Sequence, residues 1–212
     1  MGEMFRKESD NTGTLAHVLR TNRDQVVRLA AADPVALWEG AKSNMSDYNL
    51  VAKLYYYHQP LTSPLWPWLA TNGDYILHLL RRNLFDAYIS REIASRYNLW
   101  QIPNIDDISH LSFRITVNES DAALYIEQKL NEIRQIRSIF ARKEKYFEIF
   151  FEDIIHTPIA CAAAVEHIYE ERSTFRSKYA GEFRNRRIKS APNSTIVANY
   201  ADVAHLDCTH VN

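Results

Sequence analysis

Arg81 and Arg82 stand side by side where an apolar run ends, and Ser90 follows eight residues after Arg82. The stretch LHLLRRNLFDAYIS, residues 77–90, reads as a buried strand that turns into a helix at Asn83. Two permanent cations at such a joint suit a bound anion. A guanidinium offers a planar fork of donors to phosphate, and a serine hydroxyl adds a neutral donor. The first turn of the helix adds a weak, local positive end. At ~1.5 Å rise per residue, Ser90 lies roughly 11 Å along the helix, within reach of a long arginine directed forward. The bland reading is equally specific. Both arginines can be solvated, or paired with Asp86 and with the acids of FFEDI, residues 150–154.

The elements that must position these residues follow from periodicity and punctuation. Residues 14–41 carry helical spacing at Leu15, Val18, Leu19, Val26, Val27, Leu29 and Ala30, and Asp33-Pro34 suits a cap and first-turn proline for a short helix through Trp38. LVAKLYYY, 50–57, reads as a strand. Pro60, Pro64 and Pro67 exclude a regular interior strand, and a helix can begin near Pro64. NGD, 72–74, marks a turn ahead of the buried strand YILHLL, and a helix follows from 83 to about 98. LSFRITV, 111–117, reads as a strand before a long helix, about 119–143, whose NESD supplies a cap and early acids. KYFEIFFEDI reads as a strand and an acidic turn, and TPIACAAAVEHIYEE, 157–171, as an alanine-rich helix. Strands alternating with helices predict an α/β fold with a mainly parallel sheet, whose ligands bind beyond the carboxyl ends of the strands. The arginine pair sits at such an end.

Bulk properties narrow the classes. At 212 residues a single domain, 1–212, is expected, and 46% hydrophobic residues are enough for a packed core. A formal net charge of -1 gives no global attraction to nucleic acid or to an anionic membrane, so an anion site has to be built locally. Cys161 and Cys208 show no disulfide-framework spacing, which fits a reducing compartment. No stretch approaches the ~20 apolar residues of a membrane span. The expectation is a cytoplasmic protein without membrane or nucleic-acid partners, its oligomeric state left open.

Other constellations read weakly. HLDCTH, 205–210, gathers His205, Asp207, Cys208 and His210, ligand types for zinc, but at no standard metal spacing, so it reads as a polar tail. RNRRIK, 184–189, is a basic run that reads as a solvated surface. Glu152 and Asp153 are adjacent, so on a strand they point apart and do not form a paired-carboxylate site.

Five segments together resemble the PAPS-dependent sulfotransferases, in particular their bacterial carbohydrate and nodulation-type branch. HLLRRNLFDAYIS resembles the segment that binds the 3'-phosphate of 3'-phosphoadenosine 5'-phosphosulfate (PAPS). GEMF, 2–5, is similar to the Gly-Glu-x-Phe of that branch. VAKLYYYHQ, 51–59, is similar to its GFKLMYxQ strand, YFEIFFEDI, 146–154, to its Y-x-x-[IV]-x-Y-E-D-L turn, and KSAPNSTIVANYADV, 189–203, to its closing K…I-x-N-Y-D-E-V.

The resemblance implies a P-loop-like three-layer sandwich and a sulfuryl transfer from PAPS to a hydroxyl of a carbohydrate or other small acceptor. Arg82 and Ser90, with Arg81 and Lys189, would bind the cofactor. Glu3 falls where some members place the base that takes the acceptor's proton, and Lys53 lies in the strand where others carry Lys-x-His. Tyr55 stands at that histidine position, so the histidine mechanism does not transfer, and His58 is the nearby substitute. The acceptor oxygen would attack sulfur in line, adenosine 3',5'-bisphosphate would leave, and cations would neutralise charge on the departing phosphate oxygen. No metal is required.

One part of the family's pattern is missing. The PRSGST-like loop that wraps the 5'-phosphosulfate has no counterpart, since Gly2, Gly13, Gly40, Gly73 and Gly181 all lie outside a strand–loop–helix context. The expectation is therefore an N-terminally incomplete sulfotransferase-like domain, lacking the sheet's central first strand and the loop that catalysis by this chain alone would need. The alternative is a non-catalytic relative that binds a nucleotide or a partner.

Overall fold

The computed structural model describes residues 10–45, 54–56, 59–99, 112–156, 192–208 and 210–211. The chain forms two compact units, Met1–Asp74 with Glu132–Glu144, and Tyr75–Asn131 with Lys145–Asn212.

The first unit is helical. Helices α1 (Asp10–Val18), α2 (Arg23–Ala32), α3 (Pro34–Asn44) and α4 (Leu65–Asn72) follow the predicted spacing. Arg20, at φ 51, reverses the chain after α1, and the Asn22 side chain then accepts from the Gln25 N–H at 2.9 Å to cap α2. Asp33 repeats the device on α3, accepting from the Ala36 N–H at 2.9 Å with Pro34 in the first turn. Ala16, Val26, Ala30 and Leu37 close into a buried cluster under Leu15, Leu19 and Leu29. Pro64 stands at the N-cap of α4, as the prolines predict. Of the strand expected at 50–57, Leu54–Tyr56 form loop and turn instead, and residues 50–53 and 57 lie outside the described residues.

The second unit is mixed. Strand β1 (Ile76–Leu80) pairs in parallel with β2 (Tyr146–Phe150), in register from Ile76 opposite Tyr146 to Leu80 opposite Phe150. The class is thus loosely α/β: helices around a small parallel sheet, two-stranded among the described residues. The strands hydrogen-bond directly to each other, leaving no gap for a strand between them.

β1 is not buried on both faces as its apolar run suggests. Leu80 and His78 point inward, whereas Leu77 and Leu79 are 42% and 53% exposed. In a strand, successive side chains take opposite faces, and this sheet has one covered face.

Helix α5 (Leu84–Arg96) buries Leu84, Phe85, Tyr88, Ile89 and Ile93, and ends where Asn98 takes a left-handed φ of 54. Helix α6 (Glu119–Phe140), which belongs to this unit as far as Asn131, begins as NESD predicts, with Asn118 Oδ1 accepting from the Asp121 N–H at 3.2 Å. The expected acidic turn after β2 is a helix, α7 (Phe151–His156), with Glu152 and Asp153 in its favourable first turn.

Residues 112–117 of LSFRITV do not form a regular strand either. Ile115 makes an isolated parallel bridge to Val197, and the Asn199 amide pairs both ways with the Val117 backbone, at 3.0 and 2.9 Å. A C-terminal segment thereby satisfies the extended run. It comprises α8 (Asn193–Ile196), α9 (Tyr200–Val203) and the 3-10 helix Ala204–Cys208. Ile196, Val197, Val203 and Val211 are its buried anchors. The alanine-rich helix expected at 157–171 lies outside the described residues.

Candidate anion site at the β1–α5 joint

The joint forms where β1 runs out and Asn83 caps α5, its Oδ1 accepting from the Asp86 N–H at 2.8 Å. Arg82 is clamped along its backbone. Its N–H donates to Glu152 Oε2 at 3.0 Å, and its carbonyl accepts from the Val211 N–H at 2.8 Å. The guanidinium lies 3.9 Å from the centroid of the Phe150 ring and donates through Nη2 to Asp153 Oδ2 at 2.6 Å. Arg81 takes the other side, 3.6 Å over the Phe151 ring, with Nη1 3.7 Å from Asp86 Oδ2.

Of the readings open in the sequence, the pairing with Asp86 and the FFEDI acids is the one the chain adopts. Its strength is modest. Arg82 and Asp153 are 43% and 46% exposed, so water screens the pair to about 0–1 kcal/mol of stability. The local balance is acidic: two guanidiniums share the joint with three carboxylates, Asp86 and Asp153 meeting the arginine side chains and Glu152 the Arg82 backbone N–H. An incoming phosphate must therefore exchange with Asp153 for the Arg82 fork. Glu152 Oε1 is buried at the same joint and meets no hydrogen-bond donor among the described residues.

Ser90 is partly buried on α5, one turn beyond Asp86. Two residues four apart share a helix face, so Ser90 continues the line of Asp86 rather than that of Asp153. Its hydroxyl makes no hydrogen bond to another described residue, and Arg82 is directed toward β2 and α7. The structure thus places Arg82 and Ser90 on neighbouring elements without bringing them into direct contact. Glu3, Lys53, His58 and Lys189 lie outside the described residues.

Two polar constellations escaped the sequence reading. In the first, three donors converge on Asp207. Asn83 Nδ2 reaches Oδ1 at 2.7 Å, Asn193 Nδ2 reaches Oδ1 and Oδ2 at 3.0 and 3.1 Å, and the Tyr200 hydroxyl reaches Oδ2 at 2.8 Å. The hydrogen bond to Asp207 pushes the Tyr200 hydroxyl above its ordinary value, because it stabilises the protonated phenol. Asn193, Tyr200 and Asp207 recur at intervals of seven, a one-face signal for a helix, but the segment is not a continuous helix. The expected polar tail is thus a docked hub. Its metal-type ligands do not converge: His205 Nε2 lies 3.3 Å from Glu119 Oε1, and no group of three or more candidate metal ligands forms among the described residues.

In the second, Tyr146 donates to Glu148 Oε1 at 2.7 Å, and its hydroxyl is hydrogen-bonded to His78 Nδ1 across 2.6 Å. These residues occupy one face of the strand pair, with His78 7% exposed. Alternation hid this relay, since the register linking positions 78, 146 and 148 is a tertiary fact.

The hollow between α1 and α2, lined by Gly13, Thr14, His17, Thr21, Asn22 and Arg23, holds none of the candidate site residues. Among the described residues no helix is long and apolar enough to cross a membrane. Compared with known proteins, the sequence matches no family model and no curated protein, and the fold matches no solved structure.

Proposed function

We propose that this chain is a sulfotransferase-like protein that binds the 3'-phosphate of a PAPS-type nucleotide at the β1–α5 joint. The observation that carries the reading is the half-exposed Arg82 fork at the carboxyl end of a parallel strand, beside a capped helix start. Its present partner, Asp153, is exposed enough to be exchanged for a phosphate, which offers charge-assisted bidentate bonding in place of one exposed ion pair. The five resembling segments support the same reading. It carries with it a P-loop-like three-layer sandwich, a cytoplasmic setting and a carbohydrate or other hydroxylated acceptor. In that scheme Ser90 and Lys189 add phosphate donors, Glu3 or His58 takes the acceptor's proton, and Lys53 offsets charge on the leaving group. Arg81, once released from Asp86, adds a second cation beside the phosphate.

A second reading has its own observation. The pairs Arg82–Asp153 and Arg81–Asp86 engage both guanidiniums within the chain, which favours a non-catalytic relative that binds a nucleotide weakly or serves a protein partner.

Titration of adenosine 3',5'-bisphosphate into wild type and Arg82→Ala tests the site. The expected result is saturable binding that the variant weakens by at least about tenfold, the scale of one charge-assisted hydrogen bond. Equal affinity in both proteins removes Arg82 from any nucleotide site. A sulfuryl-transfer assay with PAPS and a panel of sugars then separates the readings. Turnover identifies an enzyme, and binding without turnover identifies the non-catalytic relative.

A further inference from the structure

Asp207 holds the C-terminal segment onto the residues from which the Arg82 side chain departs. Its carboxylate accepts from Asn83 Nδ2 at 2.7 Å and its backbone carbonyl from the same nitrogen at 3.3 Å. That leaves Asn83 Oδ1 turned toward α5, where it caps the Asp86 N–H at 2.8 Å. The amide of Asn83 is therefore fixed in one of its two orientations: nitrogen to Asp207, oxygen to the helix. Asn193 and Tyr200 hold the carboxylate from the far side, and Asn193 is itself only 7% exposed. Beyond Asp207 the segment continues to His210, which bridges Asn83, and to Val211, whose N–H closes on the Arg82 carbonyl.

We propose that Asp207 is a positioning residue for anion binding at the joint, acting through Asn83 and the Val211 clip to fix the backbone that carries Arg82. The proposal rests on the nucleotide-binding reading above and adds to it the residue that preorganises the site. An arginine on a four-torsion stem binds a phosphate well only when its starting point is held. Ordering the stem and its backbone on binding would otherwise subtract from affinity. Asp207 lies 124 residues from Asn83 in sequence, so it locks the joint to a segment that local structure leaves independent.

Full-length wild type, Asp207→Ala, Asp207→Asn and Arg82→Ala, with the Arg82→Ala/Asp207→Ala double variant, are titrated with adenosine 3',5'-bisphosphate. Amide hydrogen exchange is read at Asp86 and Val211 in the unliganded proteins. Asp207→Ala is expected to weaken binding about tenfold, as loss of preorganisation does, and to speed exchange at both amides. Asp207→Asn, which keeps a carbonyl acceptor for Asn83, is expected to restore part of both, and it covers the case in which the alanine variant folds poorly. In the Arg82→Ala background the effect of Asp207→Ala on affinity should disappear, which a general loss of stability would not produce. An equal effect in both backgrounds, or unchanged exchange at Asp86 and Val211, overturns the positioning role. Binding by wild type that Asp207→Ala leaves intact overturns it as well, while sparing the nucleotide-binding reading. Absence of binding by wild type sinks that reading, and the role of Asp207 in binding with it.

Discussion

Arg82 reaches Asp153 across 2.6 Å, from the end of β1 to the first turn of α7, while its guanidinium rests on the Phe150 ring. The contact joins the two charged groups on which the proposed anion site turns. It is a cation supplied with an anion by its own chain, near enough to solvent to exchange it. Whether the joint serves a nucleotide turns on how readily Asp153 gives way.

Replacing Asp153 by Asn is therefore expected to have opposite effects on stability and binding. Loss of a half-exposed ion pair should change unfolding free energy by less than about 1 kcal/mol in urea titration. Affinity for adenosine 3',5'-bisphosphate should rise, because the fork no longer has to exchange a carboxylate. A fall in affinity would mean that Asp153 helps to hold the ligand.

Asn83→Asp is a sharp test of the hub. The new carboxylate can still cap α5, but it places an oxygen where the amide nitrogen now meets Asp207 at 2.7 Å. At neutral pH it should cost more than Asn83→Ala, which loses about 1 kcal/mol of capping together with both hydrogen bonds to Asp207. Acidification should narrow the difference, as protonation of either carboxylate restores a donor. Parallel denaturation series at neutral and acidic pH measure both effects.

Alkaline pH acts through two tyrosines. The Asp207 hydrogen bond raises Tyr200, while burial, with Glu92 and Asp121 nearby, raises Tyr88, both above 10.0. A phenol raised in the folded state ionises more readily when unfolded. Its contribution is therefore intact below pH 10.0 and is lost as pH climbs through the folded-state value. Thermal unfolding across the alkaline range should show wild type losing stability, and Tyr200→Phe losing less of it while starting lower. A parallel decline in both proteins would remove Tyr200 as a cause.

The two faces of β1 should respond differently to truncation. Leu80, 3% exposed, is expected to cost about 2–5 kcal/mol on replacement by Ala. Leu79, 53% exposed, should accept Thr within about 0.5 kcal/mol. Equal costs would mean that the outer face is covered in solution.

Much of the helical framework was legible in order. Asn22 was not singled out, but Asp33, the arginine–asparagine joint and the NESD start each carry their signal within three or four residues, the range over which a helix is nucleated and capped. Pro34 and Pro64 act through a fixed φ, equally local. The strand reading was less secure. YILHLL and YFEIF form strands, but LSFRITV has similar composition and ends as a single bridge to Val197, because strand identity depends on what pairs with it.

Sequence by itself determined where α3, α5 and α6 begin, that the joint would carry two cations, and that carboxylates at 86, 152 and 153 stood ready for them. Tertiary structure decided which of these meet: Arg82 and Asp153 are 71 residues apart, and Asn83 and Asp207 are 124. Caps and turns are satisfied by neighbours along the chain, so residue order encodes them. An ion pair or a hub needs two distant segments brought within 3 Å, and packing and register set that separation.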